Sequence, residues 1–244
     1  MLAPATVPVW TPPPPVLANQ TEIERFLCLL HCAGNVVEIR ALKVSTPDYR
    51  RAHTVSGYFD DFARAAAAAA ELSQHAGAVY CTLNEIDPAL LARAHNRVRP
   101  VESGETTSDT NVRRRRWLLV DLDPVRPAGI SATDAEREAA RQRARDVHGY
   151  LRGEGWPDPI AGDSGNGNHL LYPLDLPRDD GGRVQRILEA LAARFDDDVV
   201  TVDTTTFNPS RITKVFGTRA GKGDHTPARP HRLARLLHVP EYLK

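Results

Sequence analysis

Trp117-Leu118-Leu119-Val120-Asp121-Leu122-Asp123-Pro124 is the stretch on which the reading of this chain turns. Four consecutive apolar residues mark a buried strand, and Pro124 ends it in an Asp-Pro turn. Side chains alternate along a strand, so Asp121 and Asp123 point one way and Leu122 the other. Two carboxylates on one face repel unless a cation neutralises them. Hard divalent ions such as Mg²⁺ or Mn²⁺ take oxygen ligands of this kind. Taken alone, the pattern fits equally a strand that simply runs out into a turn.

Three other segments carry chemistry-bearing residues. Asp163-Ser164-Gly165-Asn166-Gly167-Asn168-His169 precedes an apolar strand. Its two glycines let backbone amides approach a ligand closely. With Ser164, Asn166 and His169 they suit an anion such as a phosphate chain, although Asn and Gly also favour a plain turn. No Gly-Lys-Ser/Thr follows, and a strand stands where a dinucleotide site needs a helix. Asp203 ends a further β-branched run and offers a third carboxylate, as two-metal phosphoryl transfer requires. The acidic run Asp196, Asp197 and Asp198 follows a helix, opposes its dipole, and reads as a solvated loop. The last quarter is basic. Arg211 and Lys214 are placed to reach a triphosphate, while Arg219, Lys222 and Arg232 suit a nucleic-acid backbone. Arg113, Arg114 and Arg115, just before the acidic strand, fit the same task or a solvated face.

These four elements, in this order, resemble the archaeo-eukaryotic primase superfamily, specifically the primase-polymerase domains of plasmid, phage and mobile-element replication proteins. The resemblance spans residues 38–240 and rests on WLLVDLDPVRPAGISATDAE (117–136), SGNGNHLLYPLDLP (164–177) and VDTTTFNPSRITKVFGTRAGKGDHTPARPHR (202–232). It implies an α+β fold in which an α/β module packs on an RRM-like module, with the active site between them. Asp121, Asp123 and Asp203 would be the catalytic, metal-holding residues for two Mg²⁺ or Mn²⁺ ions. Ser164, Gly165, Asn166, Gly167, His169, Arg211 and Lys214 would bind the nucleoside triphosphate. A 3′-hydroxyl would attack the α-phosphate on a DNA template and primer, releasing pyrophosphate. Some relatives carry a zinc module that assists priming; no matching Cys/His set is present here, and no zinc is expected. Relatives often continue into a helicase, so a helicase domain or protein is a possible partner.

Composition is consistent with this. The 244 residues suffice for one substantial domain or two modules sharing a core. Formal net charge is +0, so nucleic-acid contacts must come from local basic clusters. Cys28, Cys32 and Cys81 are too few for a disulfide scaffold and read as buried free thiols of a reducing, cytoplasmic compartment. No apolar run approaches a membrane span and no signal peptide is evident, so no membrane partner is expected.

Residues 1–20 read as a proline-rich arm and 21–244 as the catalytic domain: 21–110 mainly the α/β module, 111–244 mainly the RRM-like one. Strands are predicted at 36–44, 78–83, 169–174, 199–202 and 212–216. A helix capped by Thr54 or Ser56 should run to about residue 74, and a short one should span 89–98 after Pro88. Residues 102–110 read as a mobile loop. Ser131 to Asp134 resembles a capping box. The helix after it should bury Ala140, Ala144, Val147 and Leu151, and the next Val184, Ile187, Leu188, Leu191 and Phe195. A last helix is expected over 230–237. Two rivals remain. A nicking nuclease needs a second metal-binding His near His169, and none is there. A non-catalytic single-strand-binding module leaves the three acids unexplained.

Overall fold

The apolar strand around Val120 is the spine of the second half of the molecule. In a computed structural model describing residues 14–45 and 52–243, the chain runs through α1 (Gln20–Leu30), β1 (Val37–Val44), β2 (His53–Phe59), α2 (Phe62–His75), β3 (Ala78–Thr82), β4 (Glu85–Ile86), β5 (Arg97–Val101), β6 (Val112–Pro124), α3 (Asp134–Gly153), β7 (Ile160–Asp163), β8 (Asn168–Pro177), α4 (Arg183–Phe195), β9 (Val200–Val202), β10 (Ile212–Lys214), β11 (Arg219–Ala220), β12 (Arg232–Leu233) and β13 (Arg235–His238). Most of the proline-rich arm lies outside the described residues.

The fold is α+β, as expected. The first sheet has the order β10-β3-β1-β2-β5, the second β13-β7-β8-β6-β4 with β9 also paired to β6. Within the second, β6-α3-β7-β8-α4-β9 has the spatial order β9-β6-β8-β7, the split β-α-β arrangement expected of an RRM-like module. Alternation along β6 divides the cores. Leu118, Val120 and Leu122 pack under α3 and α4, whose apolar faces are Ala140, Ala144, Val147, Leu151 and Val184, Leu188, Leu191. Trp117 and Leu119 face the other way, into a core shared with α1, α2 and the first sheet. Asp121 and Asp123 continue that second face and therefore point towards the first module. Two strands exchange sides: β4 pairs with β6, and β10 pairs with β3.

Several local expectations are corrected. Thr54 and Ser56 belong to β2; α2 is capped by Asp61, whose carboxylate accepts from the Arg64 amide at 3.0 Å. Pro88 does open a helical turn, but it is a 3₁₀ turn ending at Arg93, and Arg97 begins β5. The loop over 102–110 is tied down by Glu105 to Arg99 and by the Thr107 amide to Glu38. The capping box is Thr133 with Glu136. Residues 230–237 form β12 and β13, not a helix. Cys81 is buried, whereas Cys28 and Cys32 are exposed, because Cys28 falls on the solvent side of α1. Among the described residues no helix is long and apolar enough to cross a membrane.

Candidate active site between the two sheets

Strand register builds the site. Val202 stands opposite Leu122 and Thr201 opposite Asp123, which sets Asp203 beside Asp121; the Asp203 amide donates to the Asp121 carbonyl at 2.8 Å. On the other flank His169 of β8 is paired with Asp121. Paired residues share a face, so Asp121, Asp203 and His169 form one row and Asp123 adds the next step along β6. All four line a cavity of about 320 Å³ with Ser164, Asn166, Arg211, Lys214 and Lys222. Nine of the residues singled out in the sequence thus meet in one place.

The turn over 163–169 is pre-formed. The Gly167 amide donates to Ser164 Oγ at 3.0 Å, and the Gly165 amide to Asp163 at 2.7 Å. Gly165 has φ +89°, and a Cβ there would sit 2.4 Å from the Ala220 side chain. Asn166 borders the cavity, but its Oδ1 is taken: it accepts from the Ala132 amide at 2.8 Å and ties the turn to the segment leading into α3. Gly167 is needed for contact. A Cβ would lie 2.3 Å from the Leu122 carbonyl oxygen and 2.7 Å from Asp123 Oδ1. Gly167→Ala should therefore push the turn off β6. A loss of about 1–3 kcal/mol is expected, read as a lower denaturant midpoint, together with weaker nucleotide binding.

Charges in the cavity depend on one another. His169 Nε2 lies 3.3 Å from Asp121 Oδ1. Burial works against a charged His169, yet the Asp121 and Asp123 carboxylates overcome it and hold the imidazole above its ordinary pKa. Burial likewise opposes ionised Asp121, but His169, Lys222 and Arg211 together keep its carboxyl below the usual range. Asp123 is pushed up by burial and by the charge on Asp121. Lys214 falls to about 7 through burial and the nearby Arg219 and Lys222 cations. Its Nζ donates to the Arg219 carbonyl at 2.6 Å.

Asp121 Oδ1 is buried with no well-aligned hydrogen-bond donor. Among the described residues no three acidic, His or Cys groups are closed into a ready-made metal cage. An under-satisfied carboxylate oxygen beside a second carboxylate of raised pKa nevertheless has the donor chemistry of a divalent-cation site. Asp203 shares the wall, and its Oδ1 is occupied by the Thr205 amide and hydroxyl at 2.8 and 2.7 Å.

The remaining basic residues lie elsewhere. Arg113 pairs with Asp87, and Arg114 with Asp175. Arg115 is buried, donating to the Arg178 and Phe207 carbonyls beside Asp180. These three sit at the start of β6, roughly 20 Å along the strand from Asp121. Arg219 donates to the Ala76 carbonyl, and Arg232 is held by the Ala132 carbonyl and Asp134. Asp196 and Asp197 are not merely solvated: they accept from the Val202, Val199 and Val200 amides and shape the entry to β9.

Other contributors have no motif of their own. Tyr80 and Thr206 line the cavity, and burial with the charges of Asp121 and Asp123 raises the Tyr80 phenol. The segment from Asp203 to Arg211 is clamped from outside. Asp109 accepts from the Ser210 amide at 2.9 Å, Asn84 donates to the Pro209 carbonyl at 2.9 Å, and Arg115 holds Phe207. Alternation in β3 puts Tyr80 on the cleft face; for the clamp, sequence offers no signal, because it joins residues about a hundred positions apart.

No family model matches this chain, and no curated protein matches it. Its structure is similar to several solved ones. The crystal structure of primase RepB′ is 14% identical with a TM-score of 0.47, over 90% of this chain and 56% of that one. The chain thus spans little more than half of that protein. The polymerase domain of Mycobacterium tuberculosis Ligase D in complex with DNA is 19% identical at a TM-score of 0.46, over 88% and 81%. The catalytic domain of primase RepB′ in complex with initiator DNA is 13% identical at 0.45, over 90% and 84%.

Proposed function

We propose that this protein is a primase-polymerase that joins nucleotides on a DNA template with two divalent metal ions. The observation carrying this reading is that three carboxylates, two on β6 and one directly after β9, line the same cavity as Ser164, His169, Arg211 and Lys214. A plain nucleic-acid binder has no use for three like charges turned towards its ligand. The resemblance of the three sequence stretches to primase-polymerase domains supports the same conclusion.

Asp121, Asp123 and Asp203 would hold the metals. When bound, Mg²⁺ or Mn²⁺ would offset repulsion among phosphates and stabilise charge on the attacking and leaving oxygens. Arg211 and Lys214 would bind the triphosphate, and a neighbouring anion would restore full charge to Lys214. His169, whose imidazole Asp121 and Asp123 hold above its ordinary pKa, would orient the phosphates from the floor of the cavity. In the reaction the 3′-hydroxyl gives up its proton to solvent, its oxygen bonds to the α-phosphorus as the bond from that phosphorus to the α,β-bridging oxygen breaks, and pyrophosphate departs. No covalent enzyme intermediate is required.

The test uses nucleoside triphosphates, Mn²⁺ or Mg²⁺, and a primed or unprimed template. Asp203→Ala should abolish extension while template binding in the absence of nucleotide persists. Normal extension by that variant removes the metal assignment and, with it, the proposed activity.

A further inference from the structure

A second, smaller cleft adjoins the nucleotide cavity. Its volume is about 180 Å³, and it is lined by Arg126, Gly129 and Ile130 of the turn after β6 and by Lys222. Asp123 and Lys222 border both spaces, so the two are neighbours across these side chains.

The turn is built around a guanidinium. Arg126 Nε donates to the Ile130 carbonyl at 3.3 Å and Nη1 to the Pro124 carbonyl at 3.0 Å. Asp123 Oδ1 lies 3.6 Å from Nη1, and only 6% of the arginine side chain is exposed. A guanidinium carries five donors, and among the described residues no hydrogen bond engages Nη2. Carbonyl oxygens fix the plane of the group and leave its charge uncancelled. Stapling the turn accounts for Nε and Nη1. It does not account for a buried cation with donors to spare beside a cleft, an arrangement that costs desolvation unless an anion completes it.

Lys222 lines the same cleft from the other loop. Its amide donates to Ser131 Oγ at 3.2 Å, and that hydroxyl donates to its carbonyl at 3.1 Å, so a buried serine fixes the backbone. The two loops pack closely: a Cβ on Gly223 would stand 2.8 Å from the Gly129 carbonyl oxygen. The Lys222 ammonium itself has no hydrogen-bond or ion-pair partner among the described residues. This sets it apart from the other cations of the nucleotide cavity, since Lys214 donates to the Arg219 carbonyl and Arg211 to the Thr205 carbonyl. Two cations thus line the cleft against one carboxylate, Asp123. A concave site with that balance concentrates small anions.

We propose that this cleft is a second anion subsite, in which Arg126 and Lys222 receive the pyrophosphate released from the nucleotide cavity. This rests on the nucleotidyl-transfer reading. The chemistry recognised is a phosphate anion, and position selects the product as its source: Asp123 and Lys222 stand at the boundary of both spaces, so the leaving group has only to cross between them. Arg126 does not line the nucleotide cavity, which separates this subsite from the one assigned to Arg211 and Lys214. A backbone phosphate of a nucleic acid is the other source of the same chemistry.

The experiment titrates inorganic pyrophosphate into the full chain without metal, with a saturating nucleoside triphosphate filling the first cavity. It follows the Arg126 Nε–H resonance by NMR, assigned by its loss in Arg126→Lys. A saturable shift is expected. Lys222→Gln keeps the backbone bonds to Ser131 and should weaken the pyrophosphate affinity read from that shift on the order of 10-fold, the scale of one charge-assisted contact. No shift, or an unaltered affinity in Lys222→Gln, overturns the proposal. A short single-stranded oligonucleotide that gives the same shift and displaces pyrophosphate assigns the cleft to a strand phosphate and overturns it too. If Arg126→Lys does not fold, calorimetry of pyrophosphate binding to wild type and Lys222→Gln under the same saturation decides on the same criterion. No shift with Asp203→Ala inactive rejects only the subsite; a shift with Asp203→Ala still active rejects only the polymerase reading.

Discussion

Asp121→Asn is expected to lower nucleotide incorporation by on the order of 10²–10³-fold, the scale of losing one preorganised electrostatic contact at a reacting centre. The substitution keeps the shape and removes the charge, and Asp121 is where the charges of the site converge. It is paired with His169 on one side, stands beside Asp203 on the other, and raises Asp123. A second consequence needs no assay of activity. Burial alone lowers the His169 pKa, and the Asp121 carboxylate is the first influence that reverses it. In metal-free Asp121→Asn protein the imidazole should therefore titrate lower, as followed by NMR of its ring protons. The stability effect has a definite sign. His169 has a folded pKa above its unfolded one, so its contribution is complete below the unfolded value and disappears as pH rises through the folded value. The variant should lose most stability relative to wild type in mildly acid buffer, where His169 is charged and the wild-type carboxylate still ionised. The gap should narrow towards alkaline pH. A His169 titration unmoved by the substitution contradicts the pairing.

The sequence carries this site unevenly, for physical reasons. The period of two along a strand is exact, so spacing alone puts Asp121 and Asp123 on one face, and both line the cavity; the buried faces of α3 and α4 follow from the helical period in the same way. That Asp203 stands beside Asp121 is a matter of register between β9 and β6, which no local pattern encodes. Thr54 and Ser56 show the limits of capping residues as signals: both also suit a strand, and pairing of β2 with β1 and β5 outweighs any local preference for a helix start. The strands at 232–233 and 235–238 are too short to show alternation and exist because β11 and β7 offer them partners. The arginines at 113–115 illustrate a different gap. A run of cations looks alike whether it faces solvent, DNA or carboxylates, and here Asp87, Asp175 and Asp180 decide.

Phe216→Ala should be the most destabilising single truncation in the shared core, costing about 3–5 kcal/mol and lowering Tm by roughly 10 °C. The ring is 0% exposed and packs against Phe26 with centroids 4.5 Å apart. It fills the space above Gly162 so closely that a Cβ there would stand 2.0 Å from its Cζ. That contact explains a glycine in the middle of β7, and it means the void left by truncation cannot be closed by a neighbouring side chain on that strand. The same ring lies 5.9 Å from the His169 imidazole, so it supports the site from beneath as well as joining the two modules. Loss of stability should therefore be accompanied by weaker nucleotide binding at temperatures where the variant is still folded. Phe216→Leu restores much of the volume and should recover most of the stability, but less of the nucleotide affinity, because a branched aliphatic chain removes the tilted ring contact, 53° between planes, that His169 makes with Phe216. Equal recovery of both would show that the ring fills space and does nothing to position the histidine.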